Sequence, residues 1–118
     1  MPEAEIGEDR ARELLARERE RIESSLADHR RVRASETDEA ETDTDIEDKG
    51  EEIEQEEVED ALVDQLETEL AAVERAEARL AEGTYGLSVE SGEPIPAGRL
   101  EAIPWAERTA EEEERYPR

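Results

Sequence analysis

The sequence predicts an all-α fold: an antiparallel two-helix coiled-coil hairpin with a small finger-like C-terminal lobe. Two long stretches have apolar residues at helical spacing, and an acidic stretch without apolar anchors separates them. Glycine, proline and aromatic residues cluster only after the second stretch. We therefore divide the chain into a hairpin over residues 1–82, with an acidic tip near residues 35–50, and a lobe over residues 83–118.

The composition limits both the core and the partners. Only 34% of the 118 residues are hydrophobic and 3% are aromatic, so a large core is out of reach. The formal net charge of −23 argues against direct binding of nucleic acid or of an anionic membrane, since both would be repelled. It suits a basic partner surface. The chain has no cysteine, which excludes disulfides and thiolate metal sites.

The amino-terminal sequence begins Met-Pro-Glu-Ala-Glu, with neither a basic start nor an apolar run. We therefore expect no signal peptide, no membrane span and a cytoplasmic location.

The first helix is predicted from about Glu8 to Ala34, after a polar lead-in at residues 1–7. Its narrow apolar stripe is typical of a coiled-coil seam and consists of Leu15, Ile22, Leu26 and either His29 or Val32. Acids and arginines alternate around this stripe, and their i,i+4 pairs contribute about 0.2–0.5 kcal/mol each.

Residues 35–44 are predicted to form a loop, because their short polar side chains compete for backbone hydrogen bonds. A second helix should begin near Thr44, where Thr44 and Glu47 have the spacing of a capping box, and end at Gly83. Its predicted stripe is Ile53, Val58, Leu62, Leu66, Leu70, Val73, Ala76 or Glu77, and Leu80. Helices joined by so short a loop should pack antiparallel, with first-helix arginines opposite second-helix acids.

In the lobe, residues 85–89 alternate and predict a short strand, and residues 91–94 predict a turn. Ile95-Pro96 and residues 99–103 should return as a second strand or an irregular pass, and residues 106–118 should include a short helical turn. The expected lobe core is Tyr85, Leu87, Val89, Ile95, Leu100, Ile103 and Trp105. For Trp105, a place in this core is favoured over a partner contact.

A spaced motif runs through the lobe: Gly83-x-Tyr85-Gly86-x-Ser88-x-x-Ser91-Gly92-x-x-Ile95, then Arg99-Leu100-Glu101-Ala102-x-Pro104. It resembles the DksA/TraR family of RNA-polymerase-binding regulators. In that family the two serine positions are cysteines, in the pattern Y-G-x-C-x-x-C-G, and the second cysteine pair falls at Thr109 and Glu112 here. The hairpin agrees with the family in length and layout, so the resemblance spans most of the chain.

The resemblance implies a transcription regulator that binds RNA polymerase in its secondary channel through the coiled-coil tip, rather than binding DNA. The family's tip pattern, D-x-x-D-x-A, matches at Asp45 and Asp48, whereas Gly50 stands at the alanine position. By this resemblance Asp48 is the aspartate that acts near the polymerase catalytic centre. RNA polymerase is thus the expected partner, and the chain is expected to be a monomer or a weak homodimer.

The family's four zinc-ligand positions hold Ser88, Ser91, Thr109 and Glu112 in this chain. Hydroxyls do not ionise near neutral pH, and one carboxylate cannot hold a structural zinc. We therefore expect the family zinc to be lost and no other cofactor or metal to be bound. Hydrogen bonds from the three hydroxyls, with packing around Trp105, should take its place.

Two other classes of function are alternatives to a polymerase regulator. An acidic interaction or adaptor protein, or a nucleic-acid mimic with no polymerase role, is favoured by the charge alone. Enzymatic activity is not expected, since the single histidine, His29, lies on a helix stripe and no serine lies in a nucleophile motif. No catalytic residue is assigned.

Overall fold

The computed structural model describes residues 2–39 and 48–117. Within these ranges the chain forms four helices and no strand: α1 (Glu8–Glu39), α2 (Asp48–Glu82), α3 (Ala97–Ala102) and α4 (Ala110–Arg115). The long helices α1 and α2 pack against each other along a molecule that measures 64 × 30 × 20 Å. The predicted all-α hairpin is confirmed.

The hairpin core lies in the half of the seam that is next to the lobe. Leu15 and Ile22 of α1 and Val73 and Ala76 of α2 are almost completely buried. Around them, partly buried side chains complete the seam, namely Val63, Leu66, Leu70 and Leu80. The spacing of three and four residues along α2 is that of a coiled-coil seam, so the predicted stripe is right in this half.

Farther from the lobe the predicted stripe is wrong at Val58 and Leu62, whereas the side chain of Ile53 lies outside those that the structure describes. Val58 and Leu62 are 61% and 45% exposed, and Val32 of α1 is 47% exposed. Successive steps of four residues rotate by about 40° each around a helix of 3.6 residues per turn, so a stripe read that way drifts off the seam. The seam instead continues through Val63, and on α1 His29 is half-buried.

Ion pairs join the two helices along the seam. The Arg19 guanidinium donates from Nε and Nη2 to the two carboxylate oxygens of Glu77, at 3.2 and 2.7 Å. Two further pairs are Arg21 with Glu69 at 3.3 Å and Arg30 with Glu67 at 3.8 Å. Because these pairs are partly exposed, each is worth only about 0–1 kcal/mol, but together they offset repulsion between the acids. Arginines of α1 do lie opposite acids of α2.

α1 continues to Glu39, so the first half of the loop predicted at residues 35–44 is helical. Once a helix has begun, each added residue gains a backbone hydrogen bond without a new nucleation cost, which favours such an extension. The rest of that loop and the predicted capping box of Thr44 and Glu47 lie outside the described residues.

The end of α2 agrees with the prediction. Gly83 has a φ of 85°, and the next residue, Thr84, donates its N–H to the carbonyl of Arg79 at 2.9 Å. The Gly83 N–H donates to Leu80 at 3.3 Å. These two bonds form a Schellman motif, in which glycine takes the left-handed conformation at low cost. In the described part of the chain, none of the helices has the length and apolar character needed to cross a membrane.

The buried seam generates a matched pair of substitutions. Leu15→Ala removes a side chain that is 1% exposed and should lower the free energy of unfolding by about 3 kcal/mol, from lost burial and the cavity left behind. Leu62→Ala removes the same atoms from an exposed position and should cost less than about 1 kcal/mol. Urea denaturation followed by circular dichroism measures both, and equal losses would contradict this seam.

Candidate functional site

The chain after α2 does not form the predicted strands. Residues 85–89 contribute only one antiparallel bridge, between Leu87 and Pro94. Two backbone hydrogen bonds of 2.8 Å flank it, from Ile95 to Gly86 and from Ser88 to Glu93. Proline has no N–H to donate, so Pro94 limits the ladder and a second strand cannot develop.

The predicted return at residues 99–103 is also different, because most of it is helical. α3 starts directly after Pro96 and buries Leu100 completely against the lobe core, which also contains Tyr85 and Ile95. Trp105 is partly buried and packs against this core, as expected. Val89 is not part of it, since its side chain is 47% exposed.

Tyr85 ties the start of the lobe to its far side. Its hydroxyl donates a hydrogen bond of 2.8 Å to the carbonyl of Pro104. Burial raises the pKa of Tyr85 to about 12, so the phenol stays protonated and able to donate well above neutral pH. This bond spans nineteen residues of chain and closes the lobe around its apolar residues.

The structure brings together the four positions that the resemblance assigns to metal ligands. Ser88 and Ser91 lie in the turn after the bridge, whereas Thr109 is the N-cap of α4 and Glu112 lies in the first turn of that helix. Thr109 N–H donates to Glu112 Oε1 at 2.9 Å, and Glu112 N–H donates to Thr109 Oγ1 at 3.2 Å. These two bonds make a capping box, which starts α4.

The Glu112 carboxylate lies at the centre of this group, and the residue is only 6% exposed. Hydrogen bonds from the Thr109 backbone first, and then from the Ser88, Ser91 and Thr109 hydroxyls, lower the pKa of Glu112 to about 2. Ser88 is also buried, and its Oγ accepts hydrogen bonds from the N–H groups of Glu90 and Ser91 at 3.1 and 3.2 Å.

These residues do not fit a zinc ion. The donor set is one carboxylate and three hydroxyls, whereas structural zinc takes thiolates and imidazoles. The carboxylate is already used by hydrogen-bond donors of the protein. Across residues 2–39 and 48–117, no cluster of three or more histidine, cysteine or acidic side chains is placed to hold a metal.

Residues 2–7, which the sequence marked as a polar lead-in, contact the lobe. Ile6 packs against the core, and the Glu5 carboxylate accepts a hydrogen bond from the N–H of Ala97 at the start of α3. Gly86 has a φ of 81°, and a Cβ added there would lie 2.5 Å from the Cβ of Ala4. A glycine is therefore required at this contact. No local pattern in residues 1–7 signals it, because the partners are distant in sequence.

Two ion pairs fasten the lobe to the base of the hairpin. Arg10 of α1 donates from Nε and Nη2 to the two oxygens of Glu101, at 3.0 and 2.7 Å, and this bidentate contact lowers the pKa of that carboxyl. Arg75 of α2 donates to Glu107 at 2.7 Å. Both long helices thus hold the lobe.

The second candidate site is the acidic tip. Asp45 lies outside the described residues, and Asp48 is the first residue of α2. The lobe begins directly after Glu82, at the other end of the same 35-residue helix. At 1.5 Å per residue, about 50 Å of helix separates the two candidate sites.

Comparison with known proteins places this architecture. No protein-family model and no curated protein matches the chain. The structure of transcription factor DksA2 from Pseudomonas aeruginosa matches with a TM-score of 0.75 and 30% identity, over 92% of this chain and 81% of that one. A structure of the RNA polymerase binding protein and transcriptional regulator Dks from Chlamydia trachomatis L2 (LGV434) is 26% identical over 78% of this chain and 86% of that one, with a TM-score of only 0.37.

A long helical hairpin with a lobe docked on its base is thus the architecture of a DksA-like transcription regulator. The chain belongs to the DksA/TraR family, and the resemblance carried by residues 83–112 is confirmed.

The contact at Gly86 generates a test of lobe docking. Gly86→Ala should lower the free energy of unfolding by more than Gly92→Ala, since both glycines have positive φ but only the first would meet Ala4. The left-handed conformation alone costs about 1–2 kcal/mol in each variant. Thermal unfolding measures both.

A compensating change separates the clash from the backbone strain. Ala4→Gly removes the Cβ that the new side chain would meet, so it should restore part of the stability lost in Gly86→Ala and none of that lost in Gly92→Ala. A failure to rescue the first variant would contradict the docking of residues 2–7.

Proposed function

We propose that the chain regulates transcription by binding RNA polymerase in its secondary channel through the acidic tip of the hairpin, rather than by binding DNA or by catalysing a reaction. The observation that carries this proposal is the 30% identity with a DksA2 transcription factor over 92% of the chain. The likeness covers the hairpin and the lobe together, so it supports use of the whole molecule. Such a regulator works in the cytoplasm, where RNA polymerase is found.

The distribution of charge supports a basic partner surface. Near the base of the hairpin, arginines of α1 are paired with acids of α2, for example Arg19 with Glu77. In the sequence from Glu36 to Asp60, by contrast, the only basic residue is Lys49, and acids predominate. Most of the uncompensated negative charge therefore belongs to the tip end. A charge of this kind accelerates association with a basic surface at low ionic strength and weakens as salt rises.

Asp45 and Asp48 are the tip residues that we assign to function. Carboxylate oxygens are the ligands that Mg²⁺ prefers, and they also pair with arginine and lysine. A tip that carries them about 50 Å from the lobe along α2 can reach a deep site while the lobe stays outside it. In this proposal Asp48, by its match to the family pattern, acts closest to the polymerase centre, and Asp45 supports it.

Substitution at the tip should separate action from binding. Asp48→Asn keeps the size of the side chain and removes its charge, so it should abolish the effect on transcription while polymerase binding is retained. Asp64→Asn on an exposed part of the same helix removes the same charge and should leave the effect unchanged. Transcription in vitro with purified polymerase measures the first property, and co-sedimentation measures the second. An unaltered effect in Asp48→Asn would remove this residue from the mechanism.

The alternative function is an acidic adaptor or a nucleic-acid mimic, which the net charge of −23 favours. The salt dependence of binding distinguishes this alternative from polymerase binding. A family-type complex should capture core RNA polymerase at about 0.15 M salt, where exposed charges are screened beyond about 8 Å. A general acidic adaptor should bind many basic proteins at low salt, lose them steeply as salt rises and ignore substitutions at Asp45 and Asp48. Absence of polymerase from the capture at about 0.15 M salt would overturn the proposal.

A further inference from the structure

We propose that the Glu112 carboxylate is the structural centre of the lobe, taking the part that the family resemblance assigns to zinc, so that the lobe folds without a metal. The carboxylate joins the turn at Ser88–Ser91 to the first turn of α4. This inference is independent of the partner that the tip binds, since it concerns only how the lobe is held together.

The burial of Ser88 and Glu112 places both residues inside the lobe. Ser88 and Glu112 are both buried, although two dozen residues separate them in the chain. They lie on different elements, a turn and a helix, and both the Thr109 backbone and the Ser88 hydroxyl act on the Glu112 carboxyl. A buried carboxylate is rare unless its oxygens are satisfied by donors. Here the donors come from both elements, which makes the carboxylate a cross-link between them.

The second support is the direction of the hydrogen bonds. Ser88 Oγ accepts two backbone N–H bonds, from Glu90 and from Ser91. A hydroxyl has two acceptor lone pairs and one hydrogen, so these bonds leave Ser88 with its hydrogen to donate. An ionised carboxylate only accepts, and the Ser88 hydroxyl is among the groups that lower the pKa of the Glu112 carboxyl. The turn is therefore arranged to present a donor to an anion.

The third support is electrostatic. The groups that hold the pKa of Glu112 at about 2, against an ordinary value of 4.5, are the Thr109 backbone and the hydroxyls of Ser88, Ser91 and Thr109. Two arginines of the lobe have other partners: Arg108 pairs with Glu90 at 3.6 Å, and Arg99 donates to the Arg108 carbonyl. A lowered pKa in the folded state means that ionised Glu112 stabilises the fold above pH 4.5, and this contribution is lost as the pH falls towards 2.

A matched pair of variants tests the role of the charge. Glu112→Gln keeps a residue that can complete the capping box but removes the anionic acceptor. Glu111→Gln removes the same charge from an exposed position in the same helical turn. The first change should lower the melting temperature by several degrees and shift the fluorescence of Trp105, and the second should do neither. Equal melting temperatures for the two variants would overturn the proposal.

The pH profile and a milder variant keep the proposal testable if Glu112→Gln folds poorly. Ser88→Ala removes one donor and should lower the melting temperature of the wild type more than that of Glu112→Gln, because the two groups act on each other. The difference in the free energy of unfolding between the wild type and Glu112→Gln should be constant above about pH 5. It should then decline to zero as the pH falls from about 4.5 to about 2. Additive effects, or a difference that persists at the lowest pH, would overturn it.

Metal analysis tests whether the lobe folds without zinc. The purified full chain, incubated with excess Zn²⁺ and desalted, should retain no stoichiometric zinc, and its melting temperature should be the same with and without EDTA. One bound zinc per chain, or a loss of stability on chelation, would overturn the proposal. Neither result depends on polymerase, so this test and that of the proposed function fail separately.

Discussion

The packing of α1 against α2 determines where everything else in this protein can attach. With a net charge of −23, the chain needs apolar contact and ion pairing to hold two acidic helices side by side. Both occur at the base of the hairpin, where Leu15, Ile22 and Val73 are buried and Arg19 pairs with Glu77. The lobe docks on this same base through Arg10 and Arg75, so the apolar seam and the lobe support each other.

Much of this arrangement could be predicted from the sequence, because helical periodicity and capping are local. The hairpin and the end of α2 at Gly83 follow from such patterns, and the partly buried Trp105 follows from its large apolar side chain. The predicted strand was wrong since Pro94 restricts its ladder, and the stripe at Val58 was wrong because four-residue steps drift around the helix. The packing of residues 2–7 on Gly86 depends on contacts distant in sequence, which no local pattern encodes.

The four degenerate ligand positions were identified from the motif, but their chemistry was only half predicted. Thr109 and Glu112 have the spacing of a capping box, which is a local signal present in the sequence and independent of the ligand pattern. The central place of Glu112 required the fold. In a zinc finger a cation gathers anionic ligands, whereas here an anion gathers hydrogen-bond donors, so the polarity of the centre is inverted. Such a centre depends on pH where a metal centre depends on metal supply.

Among the side chains that the structure describes, the buried ones of the hairpin lie towards the lobe, and this affects how the molecule can be altered. Around Val58 and Leu62, where the side chains are largely exposed, opening the helix pair costs less free energy than around Val73. Substitutions at the two ends lie too far apart to share partners, so their effects on stability should add. The base could therefore support a different tip. A tip segment grafted beyond Leu62 would be held by the same apolar seam and the same lobe.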